Sequence, residues 1–80
     1  MQIFITGLNS IKGYNRKYTP LYELKGIDCV RNIKQIILNI FNIDSRYFYL
    51  TYGGRVLNDN MTLDYYNIGS DSTLIFHCRI

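Results

Sequence analysis

Cys29-Val30-Arg31-Asn32-Ile33-Lys34-Gln35-Ile36-Ile37-Leu38-Asn39-Ile40-Phe41-Asn42 is the stretch whose apolar residues recur at helical spacing. Val30, Ile33 and Ile37 fall at i, i+3 and i+7 and so stack on one face of a helix. The spacing predicts a helix from about Val30 to Phe41, with Asn42 as a suitable stop. Either Asp28 or Cys29 can stand at the N-cap, and by chemistry the aspartate is the better cap.

Outward from this helix the period changes from 3.6 to two. Upstream, Met1, Ile3 and Ile5 alternate with Gln2, Phe4 and Thr6, which reads as a strand. The turn formers of Asn9-Ser10-Ile11-Lys12-Gly13-Tyr14-Asn15 break that pattern. A second alternation then puts Tyr18, Tyr22 and Leu24 on one side and Lys17, Thr19 and Glu23 on the other. Pro20 has no ladder N–H, so this strand belongs at a sheet edge. Downstream, Tyr47 to Tyr52 reads as a strand and Gly53-Gly54 as a two-residue hairpin turn that accepts positive φ. Arg55-Val56-Leu57 is a short returning strand, Asn58-Asp59-Asn60 a loop, and Ser72 to Arg79 a last strand. The order β-β-α-β-β-β implies an α+β fold, a mixed sheet of four to five strands covered by one helix.

Eighty residues make one domain, 1–80, with a modest core. Hydrophobic residues at 48%, with twelve isoleucines among them, against 19% charged residues argue against disorder. A formal charge of +3 favours acidic partners weakly. Cys29 and Cys78 are too few for a disulfide framework or a zinc site, so both are expected reduced, in the cytoplasm or nucleus. No segment has the roughly 18 apolar residues of a membrane span, and Met1 to Leu8 lacks the apolar run of a signal peptide. Heavy use of Asn, Ile, Tyr and Lys is typical of AT-rich genomes and points to a virus, parasite or protist source.

Several blocks, in order and at the right spacing, carry a resemblance. Met1-Gln2-Ile3-Phe4, then Leu50-Thr51-Tyr52-Gly53-Gly54-Arg55-Val56-Leu57-Asn58-Asp59, then Thr62-Leu63, Tyr66-Asn67-Ile68, Ser72-Thr73-Leu74 and Arg79 resemble the ubiquitin family. The correspondence is gap-free from Cys29 to Ile80, with one insertion of about seven residues between Leu8 and Tyr22. The resemblance implies the ubiquitin-like β-grasp fold. It also implies a core of Ile3, Ile5, Tyr22, Leu24, Val30, Ile33, Ile37, Leu50, Leu57, Leu63, Ile68, Leu74 and Phe76. It implies structural roles for three polar residues: a largely buried Lys34 paired with Asp59, and a Tyr66 hydroxyl holding the loop near Asn58.

Departures from the family pattern bear on function. Ile36, Ile40, Arg55 and Ser70 stand at four positions where the family carries chain-linkage lysines. The apolar recognition spot on the family's sheet corresponds to Thr51 and His77, flanked by Tyr49, Ile75 and Arg55, and is here more polar and more aromatic. The usual readers of that spot are therefore expected to bind poorly. The sequence stops at Ile80, one residue past the matched arginine and short of the family's diglycine, so no conjugation is expected. Ile36, Leu38, Ile40 and Phe41 make the helix apolar beyond its core stripe, and either the loop after Leu8 covers this flank or a partner does.

Enzymatic readings find no support. His77 and Cys78 are neighbours on a predicted strand and point to opposite faces. One histidine and two distant cysteines do not hold a metal, and Gly53-Gly54 leads into a strand, not a phosphate-binding helix. Lys12, Arg16, Lys17 and the adjacent tyrosines could contact nucleic acid, but a solvated hairpin accounts for them better. The expectation is a monomeric, non-enzymatic, non-conjugated interaction module without cofactor, in one version a ubiquitin mimic. Its expected binding residues are Tyr49, Thr51, Arg55, Ile75 and His77 on the sheet, or Ile36 and Ile40 on the helix, and its expected partners are proteins of the ubiquitin pathway. The alternatives are a conjugable modifier whose diglycine tail is absent from this sequence, and a small basic nucleic-acid-binding domain.

Overall fold

A computed structural model describes residues 1–11 and 13–79. Lys12 and Ile80, the latter with the carboxylate considered for conjugation, lie outside the described residues. The strands are β1 (Ile3–Thr6), β2 (Tyr18–Leu21), β3 (Phe48–Tyr52), β4 (Arg55–Val56) and β5 (Thr73–Cys78), with one helix, α1 (Val30–Phe41), between β2 and β3. Three single 3-10 turns, Leu8–Ser10, Ser45–Tyr47 and Asp64–Tyr66, join them. The five strands form one sheet in the order β2-β1-β5-β3-β4. β1 and β5 run parallel at its centre, and the other neighbours are antiparallel. This is the mixed sheet covered by a single helix that the element order predicts, in the β-grasp arrangement that the resemblance implies.

Each strand alternates across the sheet, so one residue in two faces α1. Ile3 and Ile5 from β1, Phe48 and Leu50 from β3, and Leu74 and Phe76 from β5 fill the inner face and are buried. Val30, Ile33 and Ile37 of α1 pack into the same cluster, which Leu57, Leu63 and Ile68 close from the side. Gly53 and Gly54 both have positive φ, as a two-residue turn between β3 and β4 requires.

The helix begins at Val30, as the spacing predicts, but of its two candidate caps the one that chemistry favours less is used. Cys29 is the N-cap, and Asn32 Oδ1 accepts the Cys29 N–H at 3.2 Å. Asp28 is occupied elsewhere, accepting the Lys25 N–H at 2.8 Å. The first free N–H groups of α1 find tertiary partners instead: Val30 donates to the Met61 carbonyl and Arg31 to that of Asp59. The loop after β4 thus does the capping that a side chain would otherwise do. At the other end Asn42 ends the helix in left-handed backbone, φ 56, as expected.

The inward assignment of β2 is corrected. Tyr22 is 61% exposed, and Thr19 and Leu21 are the buried residues of this strand. Register explains it: Ile3 pairs with Leu21 and Ile5 with Thr19, and paired residues share a face. Beyond the Ile3–Leu21 pair, Met1 and Leu24 exchange backbone hydrogen bonds. From Leu21 to Leu24 is three steps and from Ile3 to Met1 is two, so this side holds one extra residue. Glu23, at φ 62, absorbs it as a bulge. Leu24 therefore stays inside while Tyr22 is turned out. β2 is an edge strand, where Pro20 was expected.

Candidate functional site

The register fixes which side chains share the outer face, away from α1. Opposite residues on neighbouring strands project to the same side, so the pairing can be read as rows. One row crosses all five strands: Val56, Thr51, Ile75, Thr6 and Tyr18. On one side of it lies the Tyr49–His77 pair, and on the other Thr73, Phe4 and Pro20. Aliphatic surface is concentrated in the long row, where Val56 is 63% and Ile75 43% exposed on either side of Thr51.

The Tyr49–His77 row is a held structure. The two rings stack with centroids 4.7 Å apart and planes within 10°. His77 Nε2 and Thr51 Oγ1 are 2.9 Å apart and share a hydrogen bond. The Arg79 guanidinium carbon lies 5.1 Å from the Tyr49 ring centroid, near enough for a cation–aromatic contact. Arg79 Nε donates to the Phe48 carbonyl at 3.1 Å, and the Arg79 N–H to that of Tyr47 at 2.8 Å. Hydroxyl, imidazole, phenol and guanidinium thus form a continuous column along the end of β3 and β5.

Of the sheet residues predicted as a site, the structure brings Tyr49, Thr51, Ile75 and His77 together and separates Arg55 from them. Tyr52 faces Arg55 across the Gly53-Gly54 turn and Thr51 faces Val56, so Arg55 projects to the other side. There its guanidinium lies 5.1 Å from the Tyr66 ring centroid and 5.9 Å from that of Tyr65. Val56 takes the outer position instead. A two-residue turn forces this pairing, so the turn itself held the signal that Val56 belongs to the face. Arg79 and Tyr18 were missed for another reason: their place depends on side-chain stacking and on the bulged register of β2.

His77 and Cys78 do point to opposite sides. Cys78 lines a hollow on the helix side with Ile11, Ile43, Tyr47 and Phe76. Both cysteines are free thiols. On α1, Ile36 is half-buried against the core and Ile40 is 58% exposed. The segment after Leu8 covers part of the flank. Ile11 and Tyr14 pack on the core, and the Tyr14 ring meets Phe41 edge-on at 4.9 Å. Ile40 lies beyond its reach.

The polar residues assigned structural roles have definite partners. Lys34 is buried, its Nζ 2.7 Å from Asp59 Oδ1 and 5.6 Å from the Phe48 ring centroid. The Tyr66 hydroxyl accepts the Asn58 N–H at 2.8 Å. Asp59 therefore sits in a loop that caps α1, pairs with its buried lysine and is itself held by Tyr66. Away from this loop, Asp44 accepts the Arg46 N–H at 2.9 Å, and that bond, more than the nearby guanidinium, holds its carboxyl below the usual range.

Among the described residues no helix is long and apolar enough to cross a membrane. Nor do three or more His, Cys, Asp or Glu side chains gather as a metal site would require. Comparison with curated proteins finds no match. The sequence model of the ubiquitin family matches residues 11–80, almost the whole chain and every element from β2 onward. With one helix on a five-stranded mixed sheet, and with the strand-turn-strand of β3 and β4 inside the matched region, the chain belongs to the ubiquitin family.

Proposed function

We propose that this chain is a non-enzymatic protein-interaction module that works by non-covalent recognition through the outer face of its sheet. The observation that carries this reading is the Tyr49–His77–Thr51 arrangement beside Ile75 and Val56. It is an ordered, half-exposed surface whose aromatic and polar groups are locked by stacking and hydrogen bonding. Rigid aromatic groups beside accessible aliphatic ones are what protein interfaces use as anchors, because little side-chain entropy is lost on binding. Ile36, Ile40, Arg55 and Ser70 at family lysine positions further support recognition over chain building. The expected setting is the cytoplasm or nucleus, with proteins of the ubiquitin pathway as partners.

The test compares proteins captured from cell lysate by the immobilised chain, by Ile75→Asp and by Ile40→Asp, each verified as folded. Partners of the sheet face are expected to be kept by Ile40→Asp and lost by Ile75→Asp, with nuclease treatment making no difference. Loss on Ile40→Asp alone would move the site to the helix flank. A set that disappears with nuclease would favour the nucleic-acid reading.

A further inference from the structure

The core stripe of α1 has a neighbour one residue on. Arg31, Lys34, Gln35 and Leu38 fall at i, i+3, i+4 and i+7 and share a second helix face. This face is the floor of a cleft of about 250 Å³, walled on one side by Asp44 and Ser45 after the helix and on the other by Asp59 of the capping loop. Three cations and two carboxylates meet around it. Lys34 is taken by Asp59 at 2.7 Å and Arg46 by Asp44 at 3.3 Å. Arg31 is the cation left over. Among the described residues it has no carboxylate within ion-pair distance, and its guanidinium donates through Nη2 to the neutral amide oxygen of Asn60. One such bond leaves most of the five-donor fork free. Asn60 is in turn held by Asn58, whose Oδ1 accepts its N–H at 2.9 Å, so the guanidinium is placed in advance.

We propose that this cleft binds a small aliphatic monocarboxylate. The free edge of the Arg31 guanidinium and the Ser45 hydroxyl receive its carboxylate, and its short stem lies on Leu38. The planar guanidinium fork matches a carboxylate in geometry as well as in charge. A ligand ammonium would have to displace Lys34 or Arg46 from its carboxylate, whereas a carboxylate meets a cation that nothing neutralises. One excess positive charge balances one negative charge. A phosphate dianion would bring a second beside Asp44 and Asp59, where like charges repel. Leu38, half-buried among these polar groups, offers apolar surface to a stem. The volume keeps the stem short, since sites for larger ligands run to roughly 300–1,000 Å³. The cleft lies on the helix side of the molecule, so it is independent of the sheet face and of the recognition proposed there.

The experiment titrates the isotope-labelled full chain at neutral pH and constant ionic strength and follows its backbone amides by NMR. The probes are butyrate, formate, butylammonium and inorganic phosphate, with sodium chloride as the control. Butyrate is expected to shift the amides of Arg31, Gln35, Leu38 and Ser45 saturably and to leave those of Thr51, Ile75 and His77 in place. Formate should bind at least about threefold more weakly, because it has no stem to cover Leu38. Arg31→Gln, with its spectrum otherwise unchanged, should weaken butyrate roughly tenfold. Leu38→Ala should narrow the gap between butyrate and formate. Lys34 is left intact, because its pairing with Asp59 belongs to the fold. Butyrate binding that Arg31→Gln leaves unchanged would overturn the assignment, as would shifts no larger than those of chloride or shifts confined to the sheet face. Tighter binding of phosphate would defeat the choice of a monocarboxylate, and stronger shifts with butylammonium would show that the cleft takes the opposite charge.

Discussion

The two faces of the sheet are built from alternate residues of the same five strands, yet they obey different rules. The inner face is a closed set: Ile3, Ile5, Phe48, Leu50, Leu74 and Phe76 are buried. Each is constrained in volume by its neighbours and by α1. The outer face mixes Phe4, Tyr49, Thr51, Ile75 and His77, where hydroxyl, imidazole and aliphatic groups adjoin. Packing dictates the first set and leaves the second free for recognition. A substitution on the inner face should therefore cost stability, and one on the outer face should cost binding.

The largest effect is expected at the centre of the inner face. Leu50→Ala should destabilise by about 2–5 kcal/mol, the usual range for a fully buried leucine, as measured by denaturant unfolding. A loss below about 1 kcal/mol would mean that this face is not a packed core.

β2 provides the next contrast, because neighbouring residues there go to opposite sides. Leu21→Ala should cost about 2–3 kcal/mol, whereas Tyr22→Ala should stay within about 0.5 kcal/mol of the wild type. The reverse order would show that the strand keeps unbroken alternation through to Leu24.

A smaller effect is expected from the ion pair at the helix. Lys34 is buried while the Asp59 side chain is 41% exposed, so water partly screens the pair. Asp59→Ala should fall between a surface pair and a buried one, at about 1–3 kcal/mol. Lys34→Met in the same chain should recover part of the loss, because it removes the stranded charge. No recovery would assign the cost to the loop and its caps instead.

The smallest stability effect belongs to the outer face. Ile75→Ala should shift stability by about 0.5 kcal/mol or less, while weakening any partner seated there. A destabilisation above about 2 kcal/mol would mean that Ile75 is part of the core.

The inner face was legible in the sequence because apolar alternation and helical spacing are direct consequences of burial. Val30, Ile33 and Ile37 on the helix and Leu50, Leu74 and Phe76 on the sheet could be placed from periodicity. Tyr22 could not, since a one-residue bulge leaves no mark in composition, and a glutamate gives no sign of the left-handed backbone that Glu23 adopts at φ 62. The helix start at Val30 was legible, but the choice between its two candidate caps was not: a capping preference is local, and here the Met61 and Asp59 carbonyls outweigh it from across the chain. The outer face was half legible. Tyr49, Thr51, Ile75 and His77 could be named, but Arg55 could be excluded only by following parity through Gly53-Gly54. The stacking that brings Arg79 over Tyr49 is a side-chain choice that no backbone period records.

Pro20 has a bearing on how this sheet behaves in a crowd of its own copies. Phe4, its partner on β1, sends its N–H to Ser72 on the β5 side, so the backbone of Pro20 faces away from the sheet. The missing donor therefore falls on the free edge of β2, the row of groups that an incoming strand would need. In a strand of four residues only every second one points outward, so one proline removes half of that row's donors. The opposite edge, β4, is two residues long and offers still less. Both borders are therefore poor templates for an intermolecular sheet, which lowers the tendency to grow fibrils when the chain is concentrated.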